Sequence, residues 1–474
     1  MNAKNVSRLG GSLVRGFVLC LLGGVLATGC RPSETPEDKP DAGLPGADAG
    51  TTDAGTTDAG TSGPDAGTDA GMTDPDAGMT DPDAGTVLAQ VDVGEPKPNL
   101  MLLVDTSGSM TLPMNVDLRD SSGAYVCRRG GTAAGEPCGN DTFPCDTSRC
   151  PTRWSSLQAA MASFLGSSGA RVRTGLATFP DLRSDNVYNC GGTFGVTVGL
   201  PGTDTDDKDT LVAKAAQVNS ELQAIKNSSS TPGVKTPMGG TPTNPSLQFM
   251  GTLPELQTAG RSNFVLLLTD GLPNCNANYP NPYPSASCRC TLGTLSGIAL
   301  CSYEPYDKLG CLDKDGSVSA VMALKSKNIQ TIVVGFGSEL ATGEGAVVLN
   351  AMAEQGGFSR TCTQHVDCGS VDTCDMSNGL CGRRFYPASN QGELSVVLQG
   401  VVDRVRKTAC LVPFEGAGSY TQSSLVVSVD GVELAPGEST WSLTSEGVRF
   451  AGTTCQQLQE ASRADPVRIV VRLR

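Results

Sequence analysis

Eighteen cysteines and a single histidine, His365, limit both where this chain of 474 residues can fold and what chemistry it can perform. A cytosolic protein keeps its thiols reduced, so this richness in cysteine indicates export to an oxidising compartment. Hydrolytic enzymes and catalytic zinc sites mostly use imidazole side chains, which the sequence hardly offers. We therefore expect an exported, disulfide-linked protein that is not an enzyme.

Residues 1–29 have the pattern of a bacterial lipoprotein signal peptide. Three basic residues precede an apolar run from Phe17 to Ala27, which is too short to span a membrane comfortably. The run leads into Val-Leu-Ala-Thr-Gly-Cys, which resembles a lipobox and predicts cleavage before Cys30 and lipidation of its thiol. Because Arg31 rather than an aspartate follows, an outer-membrane anchor is favoured. The alternative is an ordinary cleaved signal peptide with an incidental cysteine.

Residues 30–97 are predicted to form a disordered tether. The tripeptide Asp-Ala-Gly occurs eight times there, and residues 31–90 contain thirteen acidic and two basic side chains. Such a segment cannot bury enough apolar surface to offset the entropy lost on ordering. We expect it to hold the folded part of the chain away from the lipid surface. Metal binding by its scattered aspartates is the alternative.

Short apolar runs alternate with helical periodicity through residues 98–408. The predicted strands are 99–103, 172–179, 264–268 and 331–336, and the predicted helices are 154–165, 210–225, 245–256, 318–327 and 346–354. This alternation predicts an α/β fold with a doubly wound, mostly parallel sheet and helices on both faces. Ligand sites in such folds lie beyond the carboxyl ends of the strands.

Three of the loops at that edge carry oxygen ligands. Asp105, Ser107 and Ser109 follow the first strand, Thr241 lies in Gly-Gly-Thr, and Asp270 ends Leu-Leu-Leu-Thr-Asp. Hard oxygen ligands suit Mg²⁺, Mn²⁺ or Ca²⁺, and neutral hydroxyls leave the ion ready to accept a carboxylate from outside. The alternative for any one loop is that its serines cap the next helix.

Together these loops resemble the metal-ion-dependent adhesion site of von Willebrand factor A domains, and the resemblance covers about residues 97–408. It implies that the hydroxyls of Ser107, Ser109 and Thr241 ligate Mg²⁺, with Mn²⁺ or Ca²⁺ as alternatives. It also implies that Asp105 and Asp270 lie near the ion or bridge to it through water. An aspartate or glutamate of the bound ligand would complete the octahedron.

Cysteine-rich insertions at 111–152, 271–312 and 360–383 distinguish this chain from a plain A domain. The second holds an odd number of cysteines, so Cys190 is expected to pair with that group. The first two leave the metal edge of the sheet, and we expect a disulfide-linked collar around the site. The alternative is that these are peripheral disulfides without functional consequence. The sixteen cysteines expected in eight disulfides are Cys127, Cys138, Cys145, Cys150, Cys190, Cys275, Cys288, Cys290, Cys301, Cys311, Cys362, Cys368, Cys374, Cys381, Cys410 and Cys455.

The third insertion could be mistaken for a zinc site with His365 as a spare ligand. Its cysteines are spaced more widely than the paired ligands of zinc sites, so a knob with two disulfides is favoured. Residues 409–474 are predicted to form a small β-rich domain closed by one bridge. Two acidic clusters, at 204–209 and 313–316, could bind calcium, but helix capping or solvation is favoured because the full calcium-loop spacing is missing.

The layout of lipobox, cysteine-rich A domain and terminal β segment resembles the lipoprotein adhesins of gliding myxobacteria. The resemblance implies an outer-membrane, lipid-anchored adhesin that is exposed at the cell surface and takes part in gliding motility. Its partners would be an external surface or protein ligand that offers a carboxylate, together with envelope proteins, and no nucleic acid. The alternative is an envelope-facing scaffold that assembles an outer-membrane protein complex. Catalysis is disfavoured because no Gly-x-Ser-x-Gly elbow surrounds Ser107 or Ser109.

Overall fold

The computed structural model describes residues 85–474, apart from 141, 182–189, 296–297, 338–339, 341–342 and 464. The predicted signal peptide, the lipidation site Cys30 and residues 30–84 of the predicted tether lie outside the described residues. The described residues belong to one compact unit. Within the part of the chain that is described, no helix combines the length and the apolar character needed to cross a bilayer.

Strands outnumber α-helices among the described residues. The strands are β1 (Val87–Val93), β2 (Asn99–Asp105), β3 (Arg173–Phe179), β4 (Asn263–Thr269), β5 (Thr294–Leu295), β6 (Ile298–Ala299), β7 (Ile329–Phe336), β8 (Cys374–Asp375), β9 (Leu380–Cys381), β10 (Tyr386–Ala388), β11 (Leu411–Pro413), β12 (Leu425–Val429), β13 (Val432–Leu434), β14 (Trp441–Leu443), β15 (Gly447–Phe450) and β16 (Val467–Leu473). The helices are α1 (Arg153–Ser168), α2 (Lys208–Ala224), α3 (Thr243–Met250), α4 (Tyr306–Leu309), α5 (Lys314–Ser326), α6 (Gly343–Gly356), α7 (Gln391–Val405) and α8 (Gly452–Glu460).

A parallel five-stranded sheet forms the centre of the molecule, in the order β10, β7, β4, β2, β3. Its strands are buried on both sides, which is why they appear as continuous apolar runs in the sequence. Leu100, Leu102 and Val104 of β2 pack into one face of the core, while Met101 and Leu103 pack into the other. The predicted doubly wound α/β fold is confirmed.

Helices cover the two faces separately. Helices α1, α2 and α7 pack on the face that contains Leu102, where Trp154 at the start of α1 is fully buried. Helices α3, α5 and α6 pack on the opposite face. The side chain of Thr152 accepts a hydrogen bond from the Ser155 amide and so caps α1. These two layers hold the ends of the strands, and with them the loops beyond, in fixed positions.

Two details differ from the sequence prediction. The predicted helix 245–256 ends at Met250, because Gly251 closes α3 and Pro254 begins a separate 3-10 turn. Strand β10 and helix α7 have no counterpart among the predicted elements, although they lie inside the predicted domain. Strand β10 has only three residues, too short for periodicity to register.

The predicted end of the tether at residue 97 is wrong. Residues Val87–Val93 form β1, which pairs antiparallel with β16 at the other end of the described chain. Strands β1, β16, β12 and β13 make one sheet, and β11, β15 and β14 make another. Their shared core includes Val93, Trp441 and Ile469. The β-rich part predicted at 409–474 therefore also contains β1. This strand was assigned to the tether because it directly follows the Asp-Ala-Gly repeat.

Polar side chains join the α/β part to the β-rich part. Arg171 donates hydrogen bonds to Asp403 at 2.6 Å and to Gln459 at 2.7 Å, and Arg406 donates to the carbonyl of Gln459 at 2.8 Å. Lys97 is fully buried nearby. This junction is therefore unusually rich in buried cations.

All sixteen expected cysteines are joined in eight disulfides. The pairs are Cys127–Cys150, Cys138–Cys145, Cys190–Cys275, Cys288–Cys311, Cys290–Cys301, Cys362–Cys374, Cys368–Cys381 and Cys410–Cys455. Cys190 pairs with the second insertion, the group predicted for it. The third insertion forms a knob with two disulfides, in which Nδ1 of His365 accepts a hydrogen bond from the Cys374 amide. Its thiols and histidine are thus used structurally rather than as zinc ligands.

Candidate metal centre

The five predicted ligands lie on three loops at one edge of the parallel sheet. Asp105 is the last residue of β2, and Asp270 directly follows β4. Thr241 lies just before α3. Because β2 and β4 are adjacent and parallel, their carboxyl ends reach the same edge, and the loop before α3 meets them there.

Hydrogen bonds join the side chains of the first and third loops into a chain. Oδ1 of Asp105 accepts from the Ser107 amide at 2.8 Å, and Oδ2 accepts from Oγ1 of Thr269 at 2.6 Å. The hydroxyls of Ser107 and Ser109 lie 3.0 Å apart. The Ser109 hydroxyl donates to Asp270 at 2.8 Å. Four of the predicted residues therefore form one connected cluster.

Thr241 comes to the same place from the second loop. A Cβ atom built on Gly271 would lie 3.3 Å from Oγ1 of Thr241 and 3.7 Å from Oγ of Ser109. Both hydroxyls therefore flank Gly271, beside Asp270. The Thr241 amide donates to Oδ1 of Asn274 at 2.7 Å, which fixes the threonine against the second insertion.

Close backbone contacts explain the Gly-Gly in this loop. The amide of Gly108 donates to the carbonyl of Gly239 at 3.0 Å, and Gly239 has a φ of +85°, a conformation that disfavours any side chain. A Cβ on Gly240 would lie 2.4 Å from Sγ of Cys275 and 3.3 Å from Sγ of Cys190. The disulfide of the collar thus packs directly on the residue before Thr241.

The two carboxylates of the cluster are buried, with Asp105 at 0% and Asp270 at 2% exposure. Burial raises the pKa of both, and the neighbouring charge of Asp270 raises the pKa of Asp105 further. The guanidinium of Arg153 opposes the shift at Asp270, to which it donates at 2.8 Å. Two carboxylates facing one guanidinium leave an excess negative charge. The hydroxyl and carboxylate oxygens therefore fit a hard divalent cation such as Mg²⁺ or Mn²⁺, in both ligand type and charge.

A cavity of about 580 Å³ opens over the cluster and is lined by Ser109, Thr241 and Asp270. Its rim includes Arg289 of the second insertion and Glu344 in the first turn of α6. These two side chains form an ion pair at 2.9 Å, and both are exposed. The second insertion therefore borders the site, as the collar hypothesis requires.

The two acidic clusters, at 204–209 and 313–316, contain carboxylates that cap a helix or pair with neighbouring side chains. Asp207 caps α2, accepting from the Thr210 amide at 2.9 Å. Asp206 pairs with Arg173 at 3.1 Å and with Arg261 at 2.8 Å. Asp313 accepts from Asn276 through one carboxylate oxygen and from Asn244 through the other. Their carboxylates thus serve the fold of the loops around them.

Sequence reasoning missed three residues of the site, namely Arg153, Thr269 and Asn274. Thr269 stands next to Asp270 in the apolar strand, so its polar side chain there was a usable signal. Arg153 and Asn274 carry no such signal, because their roles depend on how α1 and the second insertion approach the sheet.

No family model matches the chain, and the search of curated proteins found no match. Among solved structures, it is similar to the open conformation of the pilus adhesin SpaC from Lactobacillus rhamnosus GG (14% identity, 81% of this chain and 40% of that chain, TM-score 0.38). It is also similar to the manganese-loaded TRAP protein of Plasmodium vivax (14% identity, 66% of this chain and 76% of that chain, TM-score 0.31). A third similar structure is the SpRpn10 VWA domain (12% identity, 54% of this chain and 82% of that chain, TM-score 0.25). The chain thus spans about two fifths of the pilus adhesin.

Proposed function

We propose that this chain is a cell-envelope adhesin that binds an external ligand through a metal-ion-dependent adhesion site. The observation that carries the proposal is the meeting of Asp105, Ser107, Ser109, Thr241 and Asp270 from three separate loops. Each is a hard oxygen donor, and three of them, Ser109, Thr241 and Asp270, line an open cavity. The order and spacing of these residues also resemble the adhesion site of von Willebrand factor A domains.

In this proposal the hydroxyls of Ser107, Ser109 and Thr241 hold the cation, and Asp105 orients the first loop by accepting from the Ser107 amide. The cation, Mg²⁺ first and Mn²⁺ or Ca²⁺ as alternatives, supplies an open coordination position for a carboxylate of the ligand. Asp270 holds the Ser109 hydroxyl. The role is binding rather than catalysis, because these side chains form a ligand set without a general base of imidazole type.

The proposed location rests on the sequence features at the N-terminus. The lipobox ending at Cys30 supports a lipid anchor in the outer membrane, and the acidic repeat that follows supports a flexible tether. An exposed adhesin on such a tether would suit gliding motility, in which force supplied by envelope partners acts through a site that grips the substratum.

Two measurements on intact cells test the proposal. Antibody against residues 100–408 should label unpermeabilised cells, and Ser107→Ala should weaken surface attachment at an unchanged protein level. Ser439→Ala, an exposed serine of the β-rich part, is the matched control. Labelling that requires permeabilised cells would favour the envelope scaffold instead. Undiminished attachment by the Ser107 variant would refute the adhesion site.

A further inference from the structure

A second cavity, of about 800 Å³, lies beside the candidate metal centre. Gly239 lines both cavities, and its carbonyl accepts from the Gly108 amide at 3.0 Å. The two cavities therefore meet at the paired backbone of these two loops. The volume is typical of a ligand site. A ligand held over the metal centre can extend across this backbone into the second cavity, which we call the hydroxyl groove.

The hydroxyl groove is lined by three segments of chain that place neutral polar groups around it. Its polar side chains come from the start of the first insertion, from the tip of that insertion, and from the segment that follows α2. They include Thr111, Asn140, Asn227, Ser228, Ser230 and Thr236. Among the described lining residues, none carries a charge or an aromatic ring. Pro144, Pro237 and Met238 add apolar surface to the lining. Such a lining exchanges hydrogen bonds with a neutral ligand and contacts its apolar parts, but it gives no ionic partner to a charged group.

Asn227 supplies an independent sign of a missing partner. Its Oδ1 accepts from Oγ1 of Thr152 at 2.6 Å, which orients the amide. Its Nδ2 is buried and has no hydrogen-bond partner in the part of the chain that the structure describes. A buried donor of this kind is costly unless a bound group satisfies it. Asn227 also lines the groove, so a rotation of this amide would bring the donor to an acceptor on a ligand.

The geometry points to a carboxylated glycan as the ligand, with its carboxylate at the metal centre and its neutral hydroxyls in the hydroxyl groove. This inference rests on the proposed metal-dependent function and gives it a ligand class. A sugar presents donors and acceptors on most of its surface, which matches a lining of hydroxyls and amides. A peptide around an acidic residue would bring further side chains, and the described lining offers no ionic partner to those that are charged. Uronic acids combine the two required groups within one monomer.

Binding of defined oligosaccharides to the full chain in Mn²⁺ tests the inference. The probes are tetramers of galacturonic acid and of mannuronic acid, their carboxyl-reduced counterparts, and a peptide with one central aspartate. At least one uronic-acid tetramer should bind, and its affinity should fall at least tenfold on carboxyl reduction or on addition of EDTA. Failure of both uronic-acid tetramers to bind would overturn the inference.

Substitutions in the groove separate this inference from the proposed function. Asn227→Asp keeps the acceptor for Thr152 but replaces the Nδ2 donor with a negative charge, so tetramer affinity should fall at least tenfold. Thr236→Val, which removes a hydroxyl at nearly constant shape, should also weaken binding and guards against misfolding of the first variant. Asn278→Asp makes the same charge change at an exposed position outside both cavities and should have no effect.

The outcomes distinguish failure of the two proposals. Metal-dependent binding of the peptide without binding of any tetramer would overturn the glycan and leave the metal-dependent adhesion site standing. Tetramer affinity that is the same in both groove variants as in the wild-type chain would also overturn the role of the groove. Absence of metal-dependent binding by every probe, together with normal attachment of the Ser107→Ala cells, would overturn the proposed function itself.

Discussion

The guanidinium of Arg153 donates a 2.8 Å hydrogen bond to the carboxylate of Asp270, a residue of the candidate metal centre. The Arg153 side chain is 12% exposed and the Asp270 side chain 0%, so water screens this pair little. The first residue of α1 therefore places a positive charge where a divalent cation would have to approach.

We expect Arg153→Gln to tighten metal binding, because it removes a charge that repels the cation and frees an oxygen of Asp270. The gain should be roughly tenfold in Kd, or about 1.4 kcal/mol. Calorimetric titration of the metal-free full chain with Mn²⁺ measures it. Arg149→Gln, at a neighbouring exposed arginine that pairs with Asp120 instead, is the control. Weaker binding by the Arg153 variant would contradict this prediction and show that Arg153 positions Asp270 for the cation rather than competing with it.

The Cys190–Cys275 disulfide should support the metal centre as well as the fold. Its sulfurs pack on Gly240, next to Thr241, so replacing both cysteines with alanine should loosen that threonine and lower Mn²⁺ affinity. The bridge spans 85 residues, so the free energy of unfolding should also fall by about 4.6 kcal/mol on the chain-entropy estimate. Titration and denaturant unfolding measure the two effects.

The matched control removes Cys362–Cys374 from the knob, whose span of 12 residues predicts a loss of about 3 kcal/mol. That variant should keep its Mn²⁺ affinity. Equal metal affinity in the two double variants would show that the Cys190–Cys275 disulfide stabilises the fold without supporting the metal centre.

Lys97 should destabilise the folded chain near neutral pH. The residue is 0% exposed, and among the described residues its Nζ has no hydrogen-bond partner. Burial, and next the charge of Arg406, lowers its pKa to about 8, while Asp206 and Glu460 act in the opposite direction. Lys97→Met should therefore raise the free energy of unfolding at pH 7 by on the order of 3 kcal/mol. Lys325→Met, at an exposed position, is the control.

The pH dependence gives this prediction a sign. Between pH 8 and the ordinary lysine pKa of 10.5, the unfolded chain holds a proton on Lys97 that the folded chain has released. The unfolded state binds more protons in this window, so the free energy of unfolding should rise with pH there. The advantage of Lys97→Met should shrink over the same window. A difference between the two proteins that stays constant from pH 7 to 10 would contradict the assignment.

The central sheet could be predicted because its strands are buried on both faces. Residues such as Leu100 to Val104 form an uninterrupted apolar run, and the helices between the strands show their own period. Strand β1 could not be recognised in the same way. Most residues of Val87–Val93 are exposed, so the strand lacks a continuous apolar run, and its pairing partner β16 lies at the far end of the described chain.

The candidate site was predictable for a different reason. Asp105, Ser107 and Ser109 share one loop, and Thr241 and Asp270 lie in loops that a parallel sheet must bring to the same edge. Two of the partners that hold these residues, Arg153 and Asn274, were not predictable. Asn274 reaches the Thr241 amide only because the second insertion folds back on the loop, and nothing in local periodicity reports that contact.

Mn²⁺ binding by the metal-free full chain is the direct test of the proposal that side chains from three loops form one cation site. Electron paramagnetic resonance of the titrated protein counts bound Mn²⁺, with Ser109→Ala and the control Ser439→Ala measured in parallel. We predict a single Mn²⁺ bound per chain, and a loss of affinity of roughly 10- to 100-fold in Ser109→Ala alone, because that variant lacks a hydroxyl ligand held by Asp270. Mn²⁺ binding that is absent, or that is equal in the wild-type chain and Ser109→Ala, would contradict the proposal.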